Sequence, residues 1–164
     1  ADQSTMQKTM QVFLRPYRVE DQEFLFRLYA STRQHEIAGF GWPEAQQQAF
    51  LRMQFTAQQL WYESAYGEAE HQIIERDGMA IGRLLALRRA GAVLLVDIAL
   101  LPDHRGQGIG AELIGQLAQQ CHQEKVPLRL QVMKGNPALR LYQRLGFSKT
   151  GEDQMYIQME KQPG

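Results

Sequence analysis

The stretch from Val93 to Gly110 constrains the fold more than any other part of the 164-residue chain. It joins an apolar run, Val93-Leu94-Leu95-Val96-Asp97-Ile98-Ala99-Leu100-Leu101, to Pro102-Asp103-His104 and then to Arg105-Gly106-Gln107-Gly108-Ile109-Gly110. That order reads as a β-strand, a proline break and a glycine-rich turn that opens a helix. Ile109, Leu113 and Leu117 follow at i, i+4 and i+8, with Ile114, Ala118 and Cys121 beside them, so the helix has one buried face. Glycines at a helix start leave backbone N–H groups bare where the helix dipole favours negative charge. The setting suits a phosphate or pyrophosphate.

The rest of the chain supplies a sheet. Residues 12–19 alternate apolar and polar positions as a first strand. From Glu20 the spacing becomes helical, with Phe24, Leu25, Leu28 and Tyr29, and it breaks over residues 31–42. Pro43 suits a helix start, and residues 43–64 read as a longer helix with Phe50, Met53, Leu60 and Trp61 apolar. Residues 71–76 and 79–88 form a hairpin about Asp77-Gly78, a two-residue turn signal. Ala90-Gly91 marks the next turn, before a strand over residues 92–101. Residues 127–133 are strand-like, Asn136-Pro137 is an N-cap followed by proline, and Gly146 stands where a helix-ending glycine belongs. Residues 147–150 and 154–159 close the chain as strands.

Tight turns make the early strands antiparallel, whereas the two strands flanking the glycine-loop helix require a right-handed parallel crossover. The expected class is therefore α/β with a mixed sheet. No repeat or linker divides the chain, so residues 11–160 read as one domain behind a flexible tail over residues 1–10.

Eighteen Lys plus Arg balance eighteen Asp plus Glu, and a chain of zero net charge exerts no global pull on nucleic acid or an anionic membrane. Neither is expected as a partner. The single cysteine excludes an internal disulfide and a thiolate metal cluster, and no metal is called for. Cys121 sits in the apolar pattern of its helix and reads as a small buried hydrophobe. No apolar run is long enough to span a bilayer, and the N-terminus does not resemble a signal peptide, so a cytoplasmic location is expected.

Two phosphate-binding patterns and a structural reading compete for the glycine loop. A P-loop needs Gly-Lys-Ser/Thr at the helix start, and Gly110-Ala111-Glu112 stands there instead. Gly106-Gln107-Gly108-Ile109-Gly110-Ala111 satisfies the loose dinucleotide pattern, but Pro102 to Arg105 separate it from the strand and no acidic residue ends the next strand. A plain structural turn is the third reading.

Arg105-Gly106-Gln107-Gly108-Ile109-Gly110 resembles the R/Q-x-x-G-x-G/A signature of the GNAT superfamily of N-acetyltransferases. The apolar strand ending Ile98-Ala99-Leu100 precedes it at the family's distance. Asn136-Pro137-Ala138-Leu139-Arg140-Leu141-Tyr142-Gln143-Arg144-Leu145-Gly146-Phe147 resembles the family's second signature, and the order agrees from about Val12 to Met159. The resemblance implies an acyl-CoA N-acyltransferase fold: a central, mostly antiparallel sheet, a splayed parallel pair and flanking helices.

It also implies acetyl-CoA as cosubstrate and a primary amine as acceptor. By similarity, the backbone of Arg105, Gly106, Gln107, Gly108, Ile109 and Gly110 would cradle the CoA pyrophosphate, since a Cβ would block close approach. The edge of Ile98, Ala99 and Leu100 would pair with the pantetheine amides like an added strand, and Asn136 would contact the cofactor or cap its helix. Amine attack on the thioester gives a tetrahedral oxyanion, which a backbone N–H of that strand would hold. Tyr142 matches the family's acid, which protonates the departing thiolate. Gln131 stands where some protein-acetylating members carry a Glu, and Gln cannot take a proton. Glu36 is therefore the candidate base, with His35 and Asp97 behind it. Asp97 lies inside an apolar strand and needs a hydrogen-bonding partner there. Phe40, Trp42, Phe50, Phe55 and Trp61 are candidates for an apolar acceptor pocket. The acceptor is a small-molecule amine or a protein amine, and nothing decides between a monomer and a homodimer. The alternative is a non-catalytic acyl-CoA-binding or interaction module on the same fold.

Overall fold

The computed structural model describes residues 11–164; the tail expected over residues 1–10 lies outside them. The strands are β1 (Val12–Pro16), β2 (Glu70–Arg76), β3 (Met79–Arg89), β4 (Ala92–Leu100), β5 (Leu128–Met133), β6 (Ser148–Glu152) and β7 (Tyr156–Lys161). The α-helices are α1 (Gln22–Ala38), α2 (Glu44–Tyr66), α3 (Ile109–Glu124) and α4 (Ala138–Arg144). The strands form one sheet in the order β1-β2-β3-β4-β5-β7-β6. β4 and β5 pair in parallel, and the other neighbours run antiparallel. This is the mixed sheet that the turn signals and the crossover require.

Asp77 and Gly78 both take positive φ, 53° and 80°, and turn β2 into β3 as a two-residue loop should. Neighbouring residues of β2 then belong to different cores, because side chains alternate along a strand. Ile74 packs with Leu84, Val93, Leu95 and the buried face of α3, Ile109, Leu113, Ile114, Leu117 and Cys121. Ile73 packs with Phe24, Leu25, Leu28, Leu51 and Phe55 of α1 and α2. Helices thus cover both faces of the sheet.

Two irregularities shape its centre. β4 pairs with β5 only through Val93 with Leu128 and Leu94 with Arg129, while its pairing with β3 continues to Gly82 and Leu100. Past Leu94 the two parallel strands part. In addition, Leu85 faces Asp97 and Ala86 faces Leu95, so Val96 is an extra residue that bulges β4 where the splay begins. Bulges of this kind re-aim side chains beside functional sites. Gly82 permits the close approach of β3 here: a Cβ on it would collide with the carbonyl oxygen of Ala99.

The helix layer departs from the sequence reading in two places. The segment expected to break at Ser31 remains helical to Ala38. Residues 32–36 are exposed and burial returns only at Ile37, so helicity there leaves no apolar periodicity. On α2, Leu51 and Phe55 are buried, whereas Met53, Leu60 and Trp61 are exposed.

Candidate active site

The splay opens into a cleft of about 480 Å³. One wall is β4, Leu95 to Ala99, and the other is β5, Leu130 to Met133, so the cleft follows the gap between the parted strands. Leu28, Tyr29, Thr32, Arg33 and Glu36 of α1, with Phe55 and Gln58 of α2, close one side. Asn136, Ala138 and Tyr142 approach from the start of α4, and Tyr156 from β7.

Five of the residues singled out in the sequence meet in this cleft, Ile98, Ala99, Asn136, Tyr142 and Glu36, whereas Leu100 does not line it. Glu36 lies on α1 rather than in a loop, and its side chain is 67% exposed at the rim, 3.8 Å from Arg33. His35 is exposed and does not line the cleft. Gln131 lines it from the outward-facing register of β5. Of the five aromatic residues suggested for an acceptor pocket, Phe55 lines the cleft. Trp42 packs between Phe40 and Phe50, ring centroids 5.1 and 5.3 Å away, and Trp61 lies against Tyr62 and Tyr66.

The glycine loop stands beyond the end of β4 and outside this cleft, at the start of α3. Gly106 and Gly108 take φ of 72° and 84°, which L side chains rarely adopt. Gly110 has no such reason to be glycine, and a Cβ on it would meet nothing within 4 Å. Neither backbone strain nor internal packing demands its bareness. Arg105 donates through Nε to the carbonyl oxygen of Leu100, 2.8 Å away, and so ties the loop back to the strand end. Asn136 Oδ1 accepts the backbone N–H of Ala138 at 2.9 Å, the expected capping bond at the start of α4.

Tyr142 is half-buried, and that burial, followed by the negative charge of Asp97, pushes its phenol above the ordinary value. It therefore keeps its proton. Burial likewise holds the Cys121 thiol up, which makes it unreactive.

No local sequence pattern marks Arg83. This residue of β3 is buried, lines the cleft, and donates through Nε to Oδ2 of Asp97 at 2.8 Å. It is the partner that a carboxylate in an apolar strand requires. The ring of Tyr62 covers its guanidinium at 5.0 Å, and burial, then Asp97, pushes the Tyr62 phenol up to about 12.

The family model "Acetyltransferase (GNAT) family" matches residues 17–147, most of the chain. The chain belongs to the GNAT family.

Solved structures agree on the GNAT fold at low identity. A PaiA N-acetyltransferase from Thermoplasma acidophilum, in complex with coenzyme A, is 21% identical with a TM-score of 0.70, over 93% of this chain and 99% of that one. The ribosomal-protein-S18-alanine N-acetyltransferase from Escherichia coli is 17% identical with a TM-score of 0.65, over 93% and 94%. A spermidine N-acetyltransferase from Vibrio cholerae, in complex with CoA and spermine, is 19% identical with a TM-score of 0.65, over 93% and 96%. No curated protein sequence matches the chain. Among the described residues, no helix is long and apolar enough to cross a membrane.

Proposed function

We propose that this GNAT protein is an N-acetyltransferase that moves an acetyl group from acetyl-CoA to a primary amine, on a small molecule or a protein, by direct attack. The observation that carries this most is the parting of β4 from β5 after Leu94, in line with the bare backbone of Gly106, Gly108 and Gly110. A freed strand edge suits the amides of a pantetheine arm, and the helix start suits a pyrophosphate. Relatives of the same fold that hold CoA support the choice of cosubstrate.

Bound acetyl-CoA would supply an activated acetyl thioester; the chain supplies the rest. Backbone N–H groups of residues 105–110 would hold the pyrophosphate, with Arg105 adding charge beside it. The open edge of Ile98, Ala99 and Leu100 would align the arm, with Asn136 alongside, and an N–H there would meet negative charge developing on the thioester oxygen. Tyr142 would give its phenolic proton to the departing sulfur. The acceptor must shed a proton, and Glu36, the exposed carboxylate at the rim, would carry it to solvent. The free, buried Cys121 suits a reducing, cytoplasmic setting.

The test is thiol release from acetyl-CoA in the presence of a panel of primary amines. Amine-dependent release supports the transferase. Tight acetyl-CoA binding with no release for any small amine, peptide N-terminus or lysine side chain would favour a non-catalytic acyl-CoA-binding module.

A further inference from the structure

The outer face of α2 lacks what an exposed helix normally carries. A surface helix turns polar and charged residues to solvent, and α3 does so with Glu112, Gln116, Gln119 and Gln123, all exposed. On α2, Leu51 and Phe55 are buried, and the opposite side presents Ala49, Met53, Ala57, Leu60 and Ser64, each exposed and spaced three or four residues apart. Met53 is 62% exposed and Leu60 61%. No charge interrupts this seam over roughly 22 Å of helix. A continuous uncharged face with large apolar side chains marks an interaction surface.

Charge enters only along one edge of the seam. Of the three charged residues of α2, Glu44 lies at its start, while Arg52 and Glu63 stand about three helical turns apart and therefore on one flank. Arg52 directs Nη2 to both carboxylate oxygens of Glu23, at 2.8 and 3.0 Å, and lies 3.8 Å over the ring of Phe26. Its guanidinium is thus held in place, with Nε and Nη1 free of hydrogen bonds among the described residues. Glu63 has no ion pair among the described residues. Ala57 lies midway between the two, about 8 Å along the helix axis from each.

That symmetry identifies the partner. We infer that α2 is the contact face of a homodimer, packing antiparallel against α2 of a second copy about a two-fold axis beside Ala57. Such an axis brings the same flank of both helices together, so Arg52 of each copy meets Glu63 of the other. In the same register Met53 enters between Leu60 and Ser64 of the second copy, and Leu60 enters between Met53 and Ala57. The small side chain of Ala57 lets the helix axes approach closely at the centre. A bilayer is the poorer occupant: interfacial helices are rich in Lys and Arg on their polar face, and α2 carries one Arg beside two Glu. One helix pair of this length lies at the low end of stable interfaces, so association falls in the micromolar range.

Sedimentation equilibrium of the full chain from about 1 to about 500 μM, which brackets a micromolar Kd, tests this. The wild type should move from the mass of one 18.8 kDa chain to twice that. Leu60→Glu should weaken association by about tenfold or more. Its melting at ~1 μM, where the chain is monomeric, should stay near wild type because the position is exposed. Arg52→Glu and Glu63→Arg should each weaken association by about tenfold, since each sets like charges opposite one another. An equimolar mixture of those two variants should restore dimers, because each supplies the charge the other lacks, a rescue that general loosening of the fold would not give. The exposed pair with Glu23 adds little to stability, so Arg52→Glu should still fold. Met53→Glu repeats the seam test at a second position. A wild type that stays monomeric throughout would overturn the inference, and if it also sediments with phosphatidylserine vesicles the face belongs to a membrane. So would dimers that survive both Leu60→Glu and Met53→Glu, or a mixture of the two charge variants that stays monomeric.

Discussion

The rings of Tyr142 and Phe147 meet edge to face, with centroids 5.9 Å apart and planes inclined at 63°. Gly146, at φ 99°, turns the chain after α4 so that Phe147 comes back beneath Tyr142 and donates its N–H to the Tyr142 carbonyl oxygen at 3.0 Å. The ring is thus held by packing. Its hydroxyl takes no hydrogen bond among the described residues and is available to the cleft.

Tyr142→Phe keeps the ring and removes only the proton donor. It should lower kcat by about a hundredfold or more, the usual worth of a positioned acid. Melting temperature and acetyl-CoA affinity should stay near wild type. Steady-state kinetics with calorimetry on the same preparation checks both; an unchanged kcat would remove Tyr142 from the chemistry.

Because burial and Asp97 raise the Tyr142 pKa, the acid remains protonated beyond the ordinary tyrosine range near 10. The alkaline limb of kcat should therefore lie above pH 10, and it should vanish from the residual activity of Tyr142→Phe. Tyr62, pushed up to about 12, works in the same direction on stability: ionisation favours the unfolded chain once pH exceeds the unfolded phenol's value. A rate profile read alongside a melting curve separates loss of the acid from loss of the fold.

Gly108 and Gly110 should answer to alanine in opposite ways. Gly108→Ala places a side chain at φ 84° and should cost about 1–2 kcal/mol of stability. Gly110→Ala meets no strain and no neighbour, so melting should hold or rise slightly, since alanine favours the helix. If the bare backbone of Gly110 exists for the pyrophosphate, acetyl-CoA affinity should nevertheless fall by about tenfold or more, which is ~1.4 kcal/mol. Calorimetric titration of the two variants reads the difference.

His71 stacks on Tyr17, ring centroids 4.7 Å apart, and its Nε2 is buried without a hydrogen-bond partner among the described residues. Burial, with the nearby charge of Arg83, lowers its pKa from 6.5 to about 4. A depressed folded-state value means that the unfolded chain takes the proton first, so stability present above pH 6.5 is lost as pH falls toward 4. Urea midpoints should drop across that window and do so less in His71→Phe. Asp21, held low by its hydrogen bond from Arg15, adds a loss in the same direction below pH 3.8.

How far the sequence carried depended on whether a feature was local. Asp77-Gly78, Gly108 and Gly146 announce themselves because positive φ restricts the residue type at one position. The buried face of α3 shows in its own spacing. Arg83 was invisible because its partner is fourteen residues away, and the pairing depends on a register shifted by the Val96 bulge, which no local pattern records. The last turns of α1 were missed for a related reason: Thr32 to Glu36 are solvent-facing, and an exposed helix needs no apolar repeat. On α2 the same repeat misled in the other direction, since Met53, Leu60 and Trp61 look like core and lie outside it.

The central claim is that the splayed strands and glycine loop hold acetyl-CoA, and a thermal melt with and without saturating acetyl-CoA, with NADH as control, tests it most directly. At about a hundredfold over its Kd, a specific ligand stabilises the fold by roughly 2.7 kcal/mol. For a domain of this size that is a rise of roughly 5–11 °C. Acetyl-CoA should give that rise and NADH none. No shift with acetyl-CoA, or an equal shift with both, would contradict it.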